Sequence, residues 1–257
     1  MVCHLHKRYN GVLLGFAQLC CLGLVVDLGW FWFLKRDLNY KLSNKIIVVI
    51  DILRATSTIV TLFSKGATSI IPIETLDECK EYKNKGYVIM AERMGKKVKG
   101  FDFGNSPSKI LEKKIKNKKI AIATSNGTKT ILKTRKSKMT LIGSFLNLKS
   151  IVKYLDKQND DILLLCSGWQ GSINLEDTLF AGAIISSISN YISESDSTII
   201  AKNLYESNKD DIFNIMKKSS HAKRLSNNDN LIDIKFCSQI DKYDLIPYLD
   251  NDKLKLL

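Results

Sequence analysis

Proline and low-complexity sequence are both scarce in this chain. Three of its 257 residues are proline, and no tract is dominated by one or two residue types. Long linkers and disordered segments are poor in apolar residues, whereas 45% of this chain is hydrophobic. The length and composition therefore predict one well-buried domain.

The six cysteines lack the spacings of a zinc site or a disulfide framework, since no CxxC pair is present. Cys20 and Cys21 are adjacent, and Cys166 lies in the apolar run ILLLC. This distribution is typical of buried free thiols in a reducing compartment, and it predicts a cytoplasmic protein. The P-loop, the G-x-S-x-G elbow, HExxH and G-x-G-x-x-G are missing as well, which excludes the enzyme classes that depend on them.

Acidic residues are fewer than basic ones: the chain contains 26 Asp and Glu and 39 Lys and Arg, so that the net charge is +13. The lysines are spread over many short segments, without an RNP-type aromatic motif or zinc-finger spacing. Dispersed lysine is typical of a solvated surface, and we expect no nucleic-acid partner. A positive field does favour a small anionic substrate.

A long apolar run occurs only near the start of the chain. Residues 11–34 contain two strongly polar members, Gln18 and Asp27, and the run is long enough to span a bilayer. Basic residues flank it on both sides, so the positive-inside rule gives no orientation. We interpret residues 1–36 as an extension foreign to a domain of residues 37–257. The alternative is a membrane anchor, which would make this segment the one membrane contact.

From residue 45 onward, apolar runs alternate with amphipathic helical patterns. KIIVVID (45–51), YVIMAE (87–92) and DILLLCS (161–167) are typical of buried strands. The alternation predicts an α/β fold in three layers, α/β/α, with a mixed, mostly parallel sheet. After residue 193 we predict two helices, a strand in DIKFCSQI and a short strand near LIPYL. Ligands of such sheets bind beyond the carboxyl ends of the strands, which is where the polar clusters fall.

The first polar cluster interrupts the stretch VVIDILRATSTIV, residues 48–60. Asp51 follows a buried strand, Arg54 lies three positions further on, and Ser57 lies at the start of a helix. Arginine offers a planar fork to a phosphate or carboxylate, and a helix start offers free N–H groups to an anion. The structural alternative makes Asp51 a turn residue and Thr56 or Ser57 a helix cap.

The second cluster is the loop AERMGKKVKGFDFGNSP, residues 91–107. Its polar members include Glu92, Asp102, Asn105 and Ser106. Ser106 and Pro107 predict the cap and first position of a helix that continues through ILEKKIKN. A loop this rich in polar groups is typical of a binding segment, and a capped turn is the alternative.

The third cluster, TSNGT, follows the strand KKIAIA and contains Asn126, Gly127 and Thr128. Small residues around a glycine allow the backbone to approach an oxyanion closely. Taken alone, this motif is weak evidence for a binding site.

The fourth cluster, INLEDTLFAG, places Glu176 and Asp177 in the first turn of a helix. They are candidate metal ligands, although Asn174 followed three positions later by Asp177 also resembles a capping box. His221 is the only histidine after residue 36. It has either a catalytic role or a structural one.

Together the clusters supply carboxylates for a hard cation, and arginine, hydroxyl and amide groups for an oxyanion. Magnesium-assisted phosphoryl chemistry needs this combination. We therefore predict a phosphomonoester hydrolase with Mg²⁺ as its cofactor and a small anionic phosphate ester as its substrate. The alternative is a non-catalytic anion- or nucleotide-binding protein of the same fold.

The motifs also resemble a known family as a set. IDILRATSTI, AERMGKKVKGFDFGNSP, TSNGT, IGSFLN, CSG, EDTLFAG, SSHAKRL and IKFCSQIDKYDLIP, in this order, closely resemble the 2-phosphosulfolactate phosphatases, the ComB-like family. The resemblance runs from about residue 38 to the C-terminus. It implies a three-layer α/β fold and Mg²⁺-dependent hydrolysis of the phosphate monoester of a 2-hydroxy acid. In the family's pathway the product is sulfolactate, on the way to coenzyme M.

Position by position, the resemblance and the clusters lead to one set of predicted roles. We assign catalysis to Asp51, Arg54 and Asp102, substrate contacts to Ser57, Asn105, Ser106, Asn126, Gly127, Thr128 and His221, and metal ligation to Asp51, Glu92, Glu176 and Asp177. Residues 1–36 have no counterpart, and the strand expected ahead of the Asp51 motif is not identified. Ser125 and Ser167 stand where threonine and alanine are expected. Assembly into a homo-oligomer is left open.

Overall fold

The fold follows from a computed structural model, which describes residues 1–7, 42–169, 171–193, 195–224 and 228–257. The apolar run of residues 11–34, on which the membrane-anchor alternative is based, lies outside these described residues. Within the described residues, no helix is long and apolar enough to cross a membrane.

Strands and helices alternate along most of the described chain. The strands are β1 Val2–Lys7, β2 Ile46–Ile50, β3 Ser69–Pro72, β4 Val88–Arg93, β5 Lys96–Lys97, β6 Lys119–Ala123, β7 Met139–Gly143, β8 Ile162–Cys166, β9 Tyr191–Ile192, β10 Pro247–Asp250 and β11 Lys253–Leu256. The α-helices are α1 Ala55–Ser64, α2 Leu76–Asn84, α3 Pro107–Ile110, α4 Gly127–Lys133, α5 Leu148–Leu155, α6 Leu175–Ser187, α7 Asp196–Glu206, α8 Ile212–Lys217, α9 Ser220–Arg224 and α10 Asn228–Cys237.

One mixed sheet connects the strands in the order β5-β4-β6-β3-β11-β10-β7-β2-β8-β1-β9. It contains two parallel groups, β7-β2-β8 and β3-β6-β4. The hairpin of β10 and β11 joins the two groups through antiparallel pairings with β7 and β3. The predicted three-layer α/β fold with a mixed sheet is confirmed.

Both faces of the sheet are covered by helices, as the side chains of β2 show. Ile46, Val48 and Ile50 belong to a core with residues of α5 and α6. Ile47 and Val49 belong to a second core with residues of α1 and α4. Because successive side chains of a strand point to opposite faces, the wholly apolar run of β2 predicts a strand buried on both sides, which is what the structure has.

The first seven residues are part of this domain. β1 pairs with β8 in antiparallel register, with Cys3 opposite Leu164, and the side chains of Cys3 and Leu5 are buried. The interpretation of residues 1–36 as a foreign extension is therefore wrong for these residues. The short strand was missed because the longer apolar run that follows it dominated the composition of this part of the chain.

The helix that follows Ser106 is shorter than predicted. The side chain of Ser106 caps it, accepting the Lys109 N–H, and Pro107 is its first residue as expected, but α3 ends at Ile110. Ile110 and Ile115 are both buried. Residues five positions apart do not share one face of a helix, so burying both side chains requires the chain to leave the helical path.

The segment DIKFCSQI is helical where a strand was predicted. α10 ends at Cys237, and its buried residues are Asp233, Ile234, Phe236 and Cys237. Positions i, i+1, i+3 and i+4 share one side of a helix. Because this pattern begins with the polar Asp233, the sequence does not show the apolar face of the helix clearly.

Four cysteines can be compared with the prediction of buried free thiols. Cys3, Cys79, Cys166 and Cys237 are all free and buried, which confirms the prediction for them. Burial raises the pKa of the Cys79 thiol to about 11, so that it stays protonated and unreactive at neutral pH. Cys20 and Cys21 lie outside the described residues.

Candidate active site

Asp51 lies directly after β2 and is 7% exposed. Its backbone N–H donates to Thr56 Oγ1 at 3.1 Å, and the Thr56 hydroxyl donates to the Asp51 carbonyl oxygen at 2.9 Å. The Asp51 carboxylate accepts the N–H of Ala55 at 3.3 Å. Thr56 therefore fixes Asp51 in a turn before α1, as the structural alternative expected, and this turn holds the Asp51 carboxylate in a buried position. Neither Thr56 nor Ser57 is the helix cap that the same alternative expected, since the N-cap residue is Arg54 and no side chain caps the helix.

The segment after β6 packs directly on this carboxylate. A β-carbon at Gly127 would lie 2.7 Å from Asp51 Oδ2 and would overlap the β-carbon of Ala55. Only glycine therefore permits this close approach. The turn itself is closed by Thr128, whose N–H donates to Thr124 Oγ1 at 3.1 Å. Asp51, Asn126, Gly127 and Thr128 thus come together, although they belong to different parallel groups of the sheet.

Asp177 joins the ends of β2 and β8. Its carboxylate accepts the N–H of Ile52 at 2.9 Å and the N–H of Gly168 at 3.3 Å, and the side chain is fully buried. Asn174 makes no capping hydrogen bond at the start of α6. The capping-box alternative is therefore wrong, and Asp177 binds neighbouring strand ends instead of its own helix.

Glu176 and His221 form a pair next to Asp177. His221 Nδ1 lies 2.8 Å from Glu176 Oε1, and the Glu176 side chain is fully buried. Its second oxygen, Oε2, finds no hydrogen-bond donor among the described residues. Glu176 therefore orients the imidazole ring through one oxygen and keeps the other for a further partner.

Glu92 brings the end of β4 to the same place. Glu92 Oε1 accepts the N–H of Gly95, and Glu92 Oε2 accepts the Ser125 hydroxyl at 3.5 Å. Ser125 immediately precedes Asn126, so the strand ends of β4 and β6 are tied together. We call the group of Asp51, Glu92, Glu176, Asp177 and His221 the Asp51 cluster.

The electrostatics of the Asp51 cluster are those of crowded, buried acids. The pKa of Asp51 is raised to about 6 in total: burial is the largest cause, His221 and the Ala55 N–H lower the pKa, and Glu92 and Glu176 raise it. The pKa of Asp177 lies well above its usual range because of burial and then because of Glu176 and Asp51. Among the described residues the cluster contains four carboxylates and one histidine, so burial and mutual repulsion disfavour the charged forms of these acids.

This surplus of carboxylate oxygen fits a hard divalent cation. The described residues contain no ready-made group of three or more His, Cys, Asp or Glu side chains around one point. Mg²⁺ does not need such a group, since it commonly binds through one or two carboxylates and completes its shell with waters and substrate phosphate oxygens. Asp51 and the unpartnered Glu176 Oε2 are suited to that role.

Arg54 turns its guanidinium toward the protein. Nη1 donates to Asp233 Oδ2 at 2.7 Å and Nη2 to the Gly95 carbonyl oxygen at 2.9 Å. The side chains of Arg54 and Asp233 are 5% and 1% exposed. Arg54 is therefore adjacent to the Asp51 cluster, through Gly95, but its fork is bound to a carboxylate of α10.

The arrangement can be compared with known proteins. Residues 33–252 match the family model described as 2-phosphosulpholactate phosphatase. The chain belongs to this phosphatase family. A relative named as a probable 2-phosphosulfolactate phosphatase from Thermotoga maritima is 45% identical over 204 residues, which cover 79% of this chain and 88% of the relative. Relatives of the same name from Caldanaerobacter subterraneus subsp. tengcongensis and Thermosynechococcus vestitus are 35% identical over 217 residues and 32% identical over 219. These cover 82% and 80% of this chain and 90% of each relative.

Within this member of the phosphatase family, Asp102 lies apart from the Asp51 cluster. Asp102 Oδ1 accepts Lys83 Nζ at 3.1 Å, and Oδ2 accepts the N–H of Ile89 at 3.0 Å. Ile89 is three residues from Glu92, which along a strand corresponds to about 10 Å. The expected convergence of Asp102 with Asp51 is thus not observed, because Asp102 ties its loop to the early part of β4.

The structure also shows the surroundings of three other residues that were predicted to contact the substrate, namely Ser57, Ser106 and Asn105. The Ser57 hydroxyl is buried and donates to the Ile52 carbonyl oxygen at 2.9 Å, which agrees with a structural role. Ser106 caps α3 and donates to Asp233 Oδ1 at 2.9 Å. Asn105 is buried, and its Oδ1 finds no donor among the described residues. Asn105 thus remains available to a ligand.

Two residues of the phosphatase site were missed from the sequence. Asp233 lies in the segment that was predicted to be a strand. Predicting a helix there would have placed Asp233 on the buried face, where it contacts Arg54. Gly95 contacts both Glu92 and Arg54 through its backbone. Its residue type signals a tight turn, since φ is +80° there, but not the two contacts, because every residue except proline offers the same N–H and carbonyl groups.

Proposed function

We propose that this chain hydrolyses the phosphate monoester of a 2-hydroxy acid, namely 2-phosphosulfolactate, to sulfolactate and inorganic phosphate. The observation that carries the proposal is the packing of Gly127 against the buried Asp51 carboxylate, in the midst of further acids. Membership of the phosphatase family and the names of the relatives support the substrate. The family's place on the way to coenzyme M is part of the same proposal.

We propose Mg²⁺ as the cofactor, held by Asp51 and Glu176. Both oxygens of Asp177 already accept backbone N–H groups, and both oxygens of Glu92 accept donors as well. These two acids therefore serve to place the strand ends, while Asp51 and Glu176 have oxygens to offer. Asp51 and Glu176 would hold Mg²⁺ beside the phosphoryl group, where the ion would supply charge neutralisation and polarisation.

The remaining groups act on the substrate directly. The turn Asn126–Thr128 accommodates the phosphoryl oxygens, because Gly127 lets the backbone come close to Asp51. The buried Asn105 side chain, whose Oδ1 has no donor among the described residues, is a further substrate contact in this proposal. His221 is held at Nδ1 by Glu176 and acts at its other ring nitrogen. As water attacks phosphorus and the ester P–O bond breaks, this nitrogen gives a proton to the leaving alkoxide oxygen, and a proton released by the attacking water restores the ring. A homo-oligomer and a cytoplasmic location remain predictions from the sequence.

Phosphate release by the purified full-length chain tests this proposal. With 2-phosphosulfolactate or 2-phospholactate, inorganic phosphate should appear in the presence of Mg²⁺, stop on addition of EDTA and resume when Mg²⁺ is restored. Absence of turnover on every 2-hydroxy-acid phosphate would contradict the proposal. Binding of the esters without turnover would favour the anion-binding alternative.

A further inference from the structure

Asp233 on α10 is the centre of a buried polar group beside the Asp51 cluster. Its Oδ2 accepts Arg54 Nη1 at 2.7 Å. Its Oδ1 accepts the Ser106 hydroxyl at 2.9 Å, the Ser108 N–H at 3.1 Å and the Ser108 hydroxyl at 2.5 Å. One carboxylate of the C-terminal part of the chain thus holds two segments that lie more than a hundred positions earlier.

A first route of hydrogen bonds leads from Asp233 to Glu92. Asp233 fixes the guanidinium of Arg54, and Arg54 Nη2 donates to the Gly95 carbonyl oxygen. The N–H of Gly95 in turn donates to Glu92 Oε1. Gly95 sits in the turn between β4 and β5 with φ +80°, and Met94 before it has φ +52°. This turn is tight, so a displaced Arg54 would move the group that fixes the Glu92 carboxylate.

A second route leads from Asp233 to Asn105. The Ser106 and Ser108 donors fix the start of α3 on Asp233. Asn105 directly precedes Ser106 and is 5% exposed, with its Oδ1 unpartnered among the described residues. A buried amide oxygen without a donor implies a missing partner, and its position depends on the segment that Asp233 holds.

We propose that Asp233 is a positioning residue of the active site, which sets the places of Glu92 and Asn105 without touching either. The proposal rests on the proposed function, in which Asn105 contacts the substrate and Glu92 places the strand ends that form the site. Asp233 contacts no reacting group and accepts four donors in a buried position, so its charge serves the geometry of Arg54 and the α3 start. Substrate affinity, more than the bond-breaking step, should therefore depend on it.

Steady-state phosphate release and calorimetric binding of inorganic phosphate test this role in the full-length chain. Asp233→Asn keeps the size of the side chain but removes the charge that holds Arg54. Since breaking a buried ion pair disturbs both partners, we expect KM and the Kd for phosphate to rise about tenfold, with kcat within about threefold of wild type. Asp233→Glu should restore part of the lost affinity, because it restores the charge.

KM separates this role from a merely structural one. Partial unfolding lowers the amount of active enzyme and hence the apparent kcat, but it leaves the KM of the folded molecules unchanged. In an Arg54→Gln background, Asp233→Asn should change KM by less than about twofold, since coupled residues act as one unit. Asp161→Asn is the matched control: it breaks the pair with Lys45 at 3.0 Å, at the other end of β2, and should leave KM unchanged.

The binding readout keeps this proposal distinct from the proposed function. If the wild-type chain binds phosphate but hydrolyses no ester, the proposed function fails and the phosphate affinities alone decide the role of Asp233. Should Asp233→Asn not fold, Ser108→Ala is a milder change: it removes one of the four contacts, the hydroxyl hydrogen bond, and keeps the N–H of residue 108. It should raise KM and Kd by about threefold. Unchanged KM and Kd in the folded variants, or no phosphate binding by the wild-type chain, would overturn the positioning role.

Discussion

Asp51 and Asp233 are both buried acids, yet their surroundings differ in kind. Asp233 accepts an arginine and three further donors. Asp51 accepts the N–H of Ala55 at 3.3 Å, and the groups around it include Glu92 and Glu176, which raise its pKa. The first acid is compensated within the protein, whereas the second is not.

The difference shows what kind of burial indicates a site. A buried charge that is fully paired contributes to the architecture, and removing its partner is what destabilises it. A buried charge held among other acids reduces the stability of the free protein and is retained only if something else requires it. The comparison therefore supports our proposals that the ligand binds at Asp51 and that Asp233 positions residues around it.

The largest expected effect concerns catalysis at Asp51. Asp51→Asn keeps the shape of the side chain but removes the charge that we assign to the cation and phosphoryl group. We expect kcat for phosphate release to fall about a thousandfold or more, as when a group that stabilises transition-state charge is removed. Activity within tenfold of wild type would contradict the assignment.

A smaller loss is expected from Gly127→Ala. The added β-carbon would meet Asp51 Oδ2 and Ala55, which must push the turn away from the carboxylate. We expect kcat/KM to fall between about tenfold and a hundredfold, with about 1–3 kcal/mol of destabilisation from overpacking. Steady-state kinetics and urea unfolding measure the two effects separately.

Gly182→Ala is the control for that variant. Its β-carbon would overlap the Ala201 carbonyl oxygen between α6 and α7, away from Asp51. It should lower the free energy of unfolding without changing KM. An equal rise of KM in both variants would show that Gly127 affects the fold and not the site.

Cation binding should stabilise the folded chain measurably. A ligand that binds only the folded state at a hundred times its Kd adds about 2.7 kcal/mol. We therefore expect Mg²⁺ to raise the melting temperature of the wild-type chain at pH 7 and to have little effect on Asp51→Asn. An equal rise in both proteins would show that Mg²⁺ binds elsewhere.

The smallest effect is expected at Asp102. Its carboxylate is bound to Lys83 and to the Ile89 N–H, and it makes no contribution to the cluster around Asp51. Asp102→Asn should therefore leave kcat and KM within about threefold of wild type, in the range of surface substitutions. A loss comparable with that of Asp51→Asn would restore Asp102 to the catalytic group.

Much of the fold could be predicted from periodicity. The run of β2 is apolar on both faces and predicted a covered strand, and Ser106-Pro107 predicted the start of α3. What failed were elements of mixed polarity: β1 has the sequence VCHLHK, with polar residues among apolar ones, and the polar Asp233 lies on the buried face of α10. Such elements are specified by contacts with distant strands and helices, which local patterns do not contain.

The site was predictable in composition but less so in geometry. Asp51, Glu176 and Gly127 each followed a buried strand or began a helix, and the structure brings them together. Arg54 and Asp102 also lie in polar clusters, but side-chain direction decides their roles, and that direction depends on partners such as Asp233 and Lys83. Pairing of this kind between remote segments leaves no spacing signal in one sequence.

The unfolding free energy of Asp51→Asn relative to wild type, without divalent cations, tests the central claim most directly. The pKa of Asp51 is raised from 3.8 to about 6 in the folded chain, so the folded state keeps this proton to higher pH than the unfolded state does. Stability from this group is therefore present below pH 4, is lost between pH 4 and 6, and stays lost at pH 7.

Removing the charge should consequently stabilise the protein at pH 7 while it abolishes activity. From the size of that shift we expect a gain of up to about 3 kcal/mol at pH 7 and almost none at pH 4, measured by urea unfolding. Two results would contradict the account: a variant less stable than wild type at pH 7, or an unfolding free energy that differs from that of wild type by the same amount at pH 7 and pH 4. Either result would show that Asp51 is compensated within the fold.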